Sequence, residues 1–182
     1  MMRRSRTIVI LAFLALLGAC QSSPQTESPR SVDAAMTTLA NGYGLLYSTI
    51  SDECEVDTVL IIKGPSPPVA EPIKAIGGFS CEAKAAVEDL SEEYPTIALD
   101  NPGLPKVETK TREAIRGATS KQILFSGGKE LEFRLLLTQH EALNYITHLA
   151  AALANQDPSE NRKRFLTELS KRSDALHEQV LE

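Results

Sequence analysis

The sequence contains no tryptophan, and only four tyrosines and five phenylalanines. Stacking platforms for sugars and for single-stranded nucleic acid are built on such rings, so their scarcity argues against both. Histidine is equally sparse: His140, His148 and His177 are the only three, and none precedes position 140. No Gly-x-Ser-x-Gly elbow is present, and neither Cys54 nor Cys81 has a histidine nearby in sequence, so nucleophilic catalysis has no motif to stand on. Gly127-Gly128-Lys129 lacks the earlier glycine and the preceding strand of a phosphate-binding loop, and a helix-breaking turn explains it better. No apolar run is long enough to span a bilayer. Ile8–Leu17 covers about ten residues, against the roughly 20 that ~30 Å of hydrocarbon requires.

That short run has a different use. Arg3, Arg4 and Arg6 precede it, and Leu17-Gly18-Ala19-Cys20 closes it with small residues before a cysteine. Basic front, apolar centre and small-residue exit are the parts of an export signal. Leu17-Gly18-Ala19-Cys20 resembles the lipobox of bacterial lipoproteins. The resemblance implies cleavage after Ala19 and lipidation of Cys20 with several acyl chains, palmitate among them. Each buried methylene contributes about 0.8 kcal/mol, so one chain binds marginally and several hold firmly. Gln21 stands where inner-membrane lipoproteins carry a retention aspartate. The resemblance thus implies the outer membrane, with the protein facing the periplasm.

The organisation expected is a signal over residues 1–19, a lipidated flexible tether over 20–30, and one helical domain over 31–182. The tether is rich in Ser, Pro, Gln and Thr and has no apolar residue between 21 and 30. The signal takes three arginines and no acid with it, leaving 16 basic and 24 acidic side chains, a net −8. A mature chain so acidic excludes nucleic acid as a partner, since phosphate backbones require a concentrated basic surface. The basic clusters Arg162-Lys163-Arg164 and Lys171-Arg172 lie within an acidic helix and read as a solvated face. Once Cys20 carries lipid, Cys54 and Cys81 remain. An exported compartment permits a disulfide between them, two unbridged thiols being the alternative.

Helical periodicity organises the remainder. Leu39, Tyr43, Leu46 and Ile50 form one apolar stripe. Val56–Ile62 is β-branched enough for a strand, but it extends the same stripe and is read as helical continuation. Gly64-Pro65-Ser66-Pro67-Pro68 ends it. A helix over about Pro68–Tyr94 turns Val69, Ile73, Ile76, Ser80, Ala83, Val87 and Leu90 inward, with Pro72 in its first turn. A third, Pro105–Phe125, carries Val107, Ala114, Ile115, Ala118 and Ile123 on its inner face. The fourth follows Leu131, Leu135, Gln139, Ala142, Ile146, Leu149 and Leu153. Asp157 or Ser159 caps a last helix with Leu166, Leu169, Ser173, Leu176 and Val180 inside. The fold class is all-α, an up-and-down bundle of four to five helices.

A long hairpin, a shorter helix and Gly-Gly-Lys-Glu-Leu-Glu-Phe at 127–133 opening another hairpin resemble the ferritin-like exported proteins. The resemblance implies acidic and histidine side chains at facing helix positions, although Ser80-Cys81 stands where an Asp-His pair is expected. Glu132, Glu141, Tyr145 and His148 are the candidate ligand or metal residues on the fourth helix. A solvated polar face is their structural alternative. His140 and His148 lie ~12 Å apart along a helix, too far to share one metal. Gln139 falls on the apolar stripe, where an amide without partners costs about 1–3 kcal/mol. It is expected either to bond across the bundle, to Arg134, Glu132 or Ser80, or to face a ligand in a bundle cavity. No cofactor is called for. The functional expectation is a non-enzymatic binding or interaction module of the cell envelope, meeting a protein or small ligand. A ferritin-like metal-binding protein is the alternative.

Overall fold

The computed structural model describes residues 29–94, 96–97, 99–100 and 102–181. The expected export signal, Cys20 and most of the expected tether lie outside the described residues. Among the described residues six helices follow in order: α1 (Pro29–Cys54), α2 (Thr58–Lys63), α3 (Pro67–Glu93), α4 (Lys106–Phe125), α5 (Gly128–Gln156) and α6 (Glu160–Leu181). No strand occurs among the described residues, and the domain is an all-α bundle.

The four long apolar stripes generate the bundle. Tyr43, Leu46 and Ile50 of α1, Ile76 of α3, Leu143, Ile146 and Ala150 of α5, and Leu166 of α6 are sealed from solvent in one cluster. Each of the buried Leu and Ile side chains contributes about 1.5–3 kcal/mol, so their summed effect far outweighs local helix propensity. α5 packs most extensively on α6 and α1 on α3, while α1 also meets α5 and α3 meets α6. Polar cross-links give the directions. Tyr47 Oη donates to Glu88 at 2.5 Å, and further along α1 Cys54 bonds Cys81, earlier in α3; the two helices are antiparallel. Ser170 Oγ donates to the Thr147 carbonyl and Ser173 Oγ to the Leu143 carbonyl, so α5 and α6 are antiparallel too.

Cys54 and Cys81 form a disulfide with their Cα atoms 4.6 Å apart, which decides between the two readings of these thiols. Crosslinking residues 27 positions apart stabilises the fold by about 3–4 kcal/mol on the chain-entropy model. It staples α1 to α3 where both approach α2.

Several details depart from the sequence expectations. Val56–Ile62 is helical from Thr58 onward, but Glu55–Asp57 form a turn first, so α2 is a new helix and not an extension of α1. Gly64 ends α2 at φ 53°, a left-handed conformation that favours glycine, and its N–H reaches the Leu60 carbonyl. α3 begins at Pro67, so Pro72 lies in the second turn, where its missing N–H costs the bond to the Pro68 carbonyl. On α5 the sealed positions run through Leu143 and Ala150, with Ala142 and Leu149 only partly covered. The 29-residue helix drifts relative to a strict three-four repeat.

The larger correction concerns α4. Val107 and Ile115 are 74% and 61% exposed, Ala114 and Ala118 are also exposed, and only Ile123 of the expected inner face is partly covered. Four helices already close the core, so α4 has no apolar groove left to fill. Apart from Ile123, which packs against the smaller apolar cluster of Val69, Ile73, Leu131 and Leu135, it is held by polar contacts. Arg116 pairs with Asp52 of α1 at 2.5 Å, Arg134 of α5 donates to Gln122 at 2.8 Å, and the Arg112 guanidinium lies 5.7 Å from the Tyr145 ring centre. At its C-terminal end the Lys63 ammonium donates to the carbonyls of Leu124 and Ser126, where the helix dipole favours a cation.

Candidate functional site

Because α4 stands off the bundle on polar side chains, it roofs a cleft of about 1010 Å³ between itself, α1, α2 and α5. Apolar walls come from Val56, Val59, Ile62, Ile123 and Leu135. Towards the bundle the lining includes Glu53 near the end of α1 and Gln139 in the middle of α5. Gln139 is 2% exposed. Its Oε1 and the Oε2 of Glu53 are both buried and make no hydrogen bond. Two adjacent helices therefore bring two unsatisfied oxygens to one apolar-walled cleft.

Burial pushes the Glu53 carboxyl up to about 7 from an ordinary 4.5; a hydrogen bond from the Gln139 amide opposes the rise, and neighbouring Asp52 adds to it. At neutral pH the group is thus poised between acid and carboxylate. Burial also raises Asp52, Arg116 pulls it back, and Glu55 adds a smaller push upwards. The cations around the cleft are engaged: Arg116 with Asp52, Arg112 with Glu108 at 2.8 Å, and Lys63 with the α4 carbonyls.

The residues singled out from the sequence separate in space. Gln139 faces the cleft, and its neighbour there is Glu53, not Arg134, Glu132 or Ser80. Arg134 is taken by Glu130 and Gln122. Glu132 accepts the Ser66 N–H at 2.7 Å at the start of α3, and its hydrogen bonds from Ser66 hold its carboxyl below the usual range. Tyr145 is half-buried under Arg112, while Glu141 and His148 are exposed. Glu132 and Glu141 are nine positions apart on one helix, ~13 Å along its axis, and no single ion spans that. Among the described residues, three carboxylate or imidazole ligand atoms converge at Asp174, His177 and Glu178, where both carboxylates are solvated. The His177 ring stacks on His140 at 4.4 Å, which gives both histidines a packing role.

Glu53 is the cleft residue that periodicity passes over. It sits in Ser51-Asp52-Glu53, where the apolar pattern breaks, and nothing in its neighbours marks it for burial. Arg162 belongs to a basic cluster whose pattern is that of a solvated face, yet it is 7% exposed. Its Nε donates to Asp157 Oδ2 at 2.8 Å, and the guanidinium lies 4.5 Å from the Tyr94 ring centre. Tyr43 Oη donates to the same Oδ2 at 2.7 Å, and the Ser159 N–H to Oδ1 at 2.8 Å. This network locks the α5–α6 corner onto α1 and is structural. Ser159 is the helix cap, its Oγ accepting the Arg162 N–H at 3.5 Å, while Asp157 ends α5.

A second hollow runs along Lys106–Ala118 on one flank of α4, and no other helix closes it. No helix among the described residues is long and apolar enough to cross a membrane. Comparison with protein-family models, with curated proteins and with solved structures finds no match.

Proposed function

We propose that this protein is a lipid-anchored binding module of the cell envelope, held at the outer membrane through Cys20 and facing the periplasm, and that it receives a small ligand in the cleft beneath α4. The observation that carries the ligand half is the pair of buried oxygens without partners, on Glu53 and Gln139, in a cleft of about 1010 Å³. Ligand sites typically combine such a volume with apolar walls and a few convergent polar groups. Buried polar atoms left unsatisfied cost about 1–3 kcal/mol each, a debt that a complementary ligand would remove. The anchor half is supported by Leu17-Gly18-Ala19-Cys20 behind its basic and apolar segments. Among the described residues the cleft lining holds no histidine or cysteine, so the Ser-His and Cys-His pairs of nucleophilic catalysis are not assembled there. A non-enzymatic role is therefore the reading the chemistry favours.

The two halves are tested separately. Cys20→Ser should move the chain from the membrane to the soluble periplasmic fraction; unchanged fractionation would overturn the anchor. For the cleft, native mass spectrometry of the envelope-extracted chain should find a small molecule retained by the wild type. Thr119→Trp, which fills the cleft from its α4 side, should lose it. Wild-type protein without a retained molecule, or the same molecule on both proteins, would overturn the ligand half.

A further inference from the structure

The chemistry of the cleft selects among ligand classes. Two residues of its lining, Glu53 and Gln139, each carry a buried oxygen, Oε2 and Oε1, that lacks a hydrogen-bond donor. Every cation in the lining already has a partner in Asp52, Glu108 or the carbonyls that end α4. Glu53, Glu55 and Glu113 have no ion-pair partner among the described residues. A carboxylate-bearing ligand would meet acids and committed bases. A donor-rich cation would meet two unsatisfied acceptors and an acidic surround. Around them, Val56, Val59 and Ile123 offer a surface for hydrocarbon.

Building on the reading of the cleft as a ligand site, we propose that its ligand is an organic cation, a primary ammonium or similar N–H donor on an apolar body, with its charged head between Glu53 and Gln139. The head donates one hydrogen bond to the Glu53 carboxylate and one to the Gln139 carbonyl oxygen, and the body lies along the apolar wall. Where Glu53 begins protonated, the cation keeps its own protons and Glu53 releases one to solvent, so that an ammonium–carboxylate pair replaces a neutral acid. The charged groups facing this exchange are Asp52 and Glu55 beside Glu53, Lys63 from α2, and Glu108, Arg112, Glu113 and Arg116 from α4. α5 contributes only neutral side chains to the lining.

The test uses the full chain and three probes of one length: hexylamine, hexanamide and hexanoate. Calorimetry in buffers of different ionisation enthalpy gives both affinity and proton release. The expected result is tenfold or greater preference for hexylamine over both others. Proton release should fall from about 0.9 at pH 6 through about 0.5 at pH 7 to about 0.1 at pH 8, following a carboxyl that titrates near 7. Glu53→Gln keeps the shape of the protonated acid; it should weaken hexylamine at least tenfold and abolish the proton release. Gln139→Leu should weaken it and move the release to higher pH, because the amide bond that holds the Glu53 carboxyl down is gone. Hexanamide or hexanoate binding more tightly, with loss in Thr119→Trp, would overturn the cation and leave the ligand site standing. Hexylamine binding with no proton release, or equally to Glu53→Gln, would also overturn it. Binding by none of the three probes would count against the ligand site itself.

Discussion

Replacing Asp157 by alanine should be among the most damaging single changes available in this domain. Its carboxylate is fully enclosed and accepts three hydrogen bonds, from Tyr43, Arg162 and the Ser159 backbone. Removing it leaves the Arg162 guanidinium, 7% exposed, without its counter-charge, and the sealed Tyr43 hydroxyl without an acceptor. Breaking one side of a buried ion pair costs about 3–5 kcal/mol, because the remaining charge stays desolvated. For a domain of this size each kcal/mol moves Tm by about 2–4 °C, so the expected loss is about 6–20 °C. Asp157→Asn keeps an oxygen acceptor and should cost less. Asp157→Ala combined with Arg162→Met should recover about 1–3 kcal/mol of the expected sum, since the stranded charge is gone. Burial alone would raise the carboxyl, but the bonds from Arg162, Ser159 and Tyr43 outweigh it and hold Asp157 below the usual range. A folded-state value lowered in this way adds stability above the unfolded value of about 3.9, and that stability is lost as pH falls through the folded value. Acid unfolding below about pH 4 should therefore be steeper in the wild type than in Asp157→Asn. Urea melts of the wild type, Asp157→Ala, Asp157→Asn, Arg162→Met and the double variant across pH decide the matter. A cost below about 1 kcal/mol for Asp157→Ala, or no recovery in the double variant, would refute the argument from enclosed charge.

Two further expectations rest on burial. Glu53 binds its proton more tightly folded than unfolded, so stability should fall as pH rises from about 4.5 to about 7, by about 3 kcal/mol, and Glu53→Gln should flatten that slope; a wild-type stability rising over the same window would contradict it. Ile115→Ala should change stability by no more than about 0.5 kcal/mol, whereas Ile146→Ala should cost about 2–5 kcal/mol. Equal losses in chemical denaturation would mean that α4 is packed as its sequence pattern suggested.

The stripes of α1, α3, α5 and α6 were legible because burial in a bundle imposes helical spacing on the sequence, and the turn-forming Gly and Pro clusters sit where those helices end. Gln139 stood out for the same reason, as one polar residue on an apolar stripe. Its partner did not. The face of α4 shows why a pattern alone misleads: Val107, Ala114, Ile115 and Ala118 recur at helical spacing, yet a core already closed by four helices gives them nothing to cover.

By itself, then, the amino-acid order determined the all-α class, the approximate helix limits and most of the core, all of which follow from local spacing and the apolar or polar nature of each side chain. Only the tertiary structure decided that Cys54 meets Cys81, that Arg162 is enclosed with Asp157 and Tyr43, and that Glu53 and Gln139 line one cleft beneath a loosely seated α4. Each of these joins residues far apart in the chain. Whether a carboxylate or guanidinium is solvated or enclosed depends on which distant helix arrives beside it, and that is set by packing of the whole bundle.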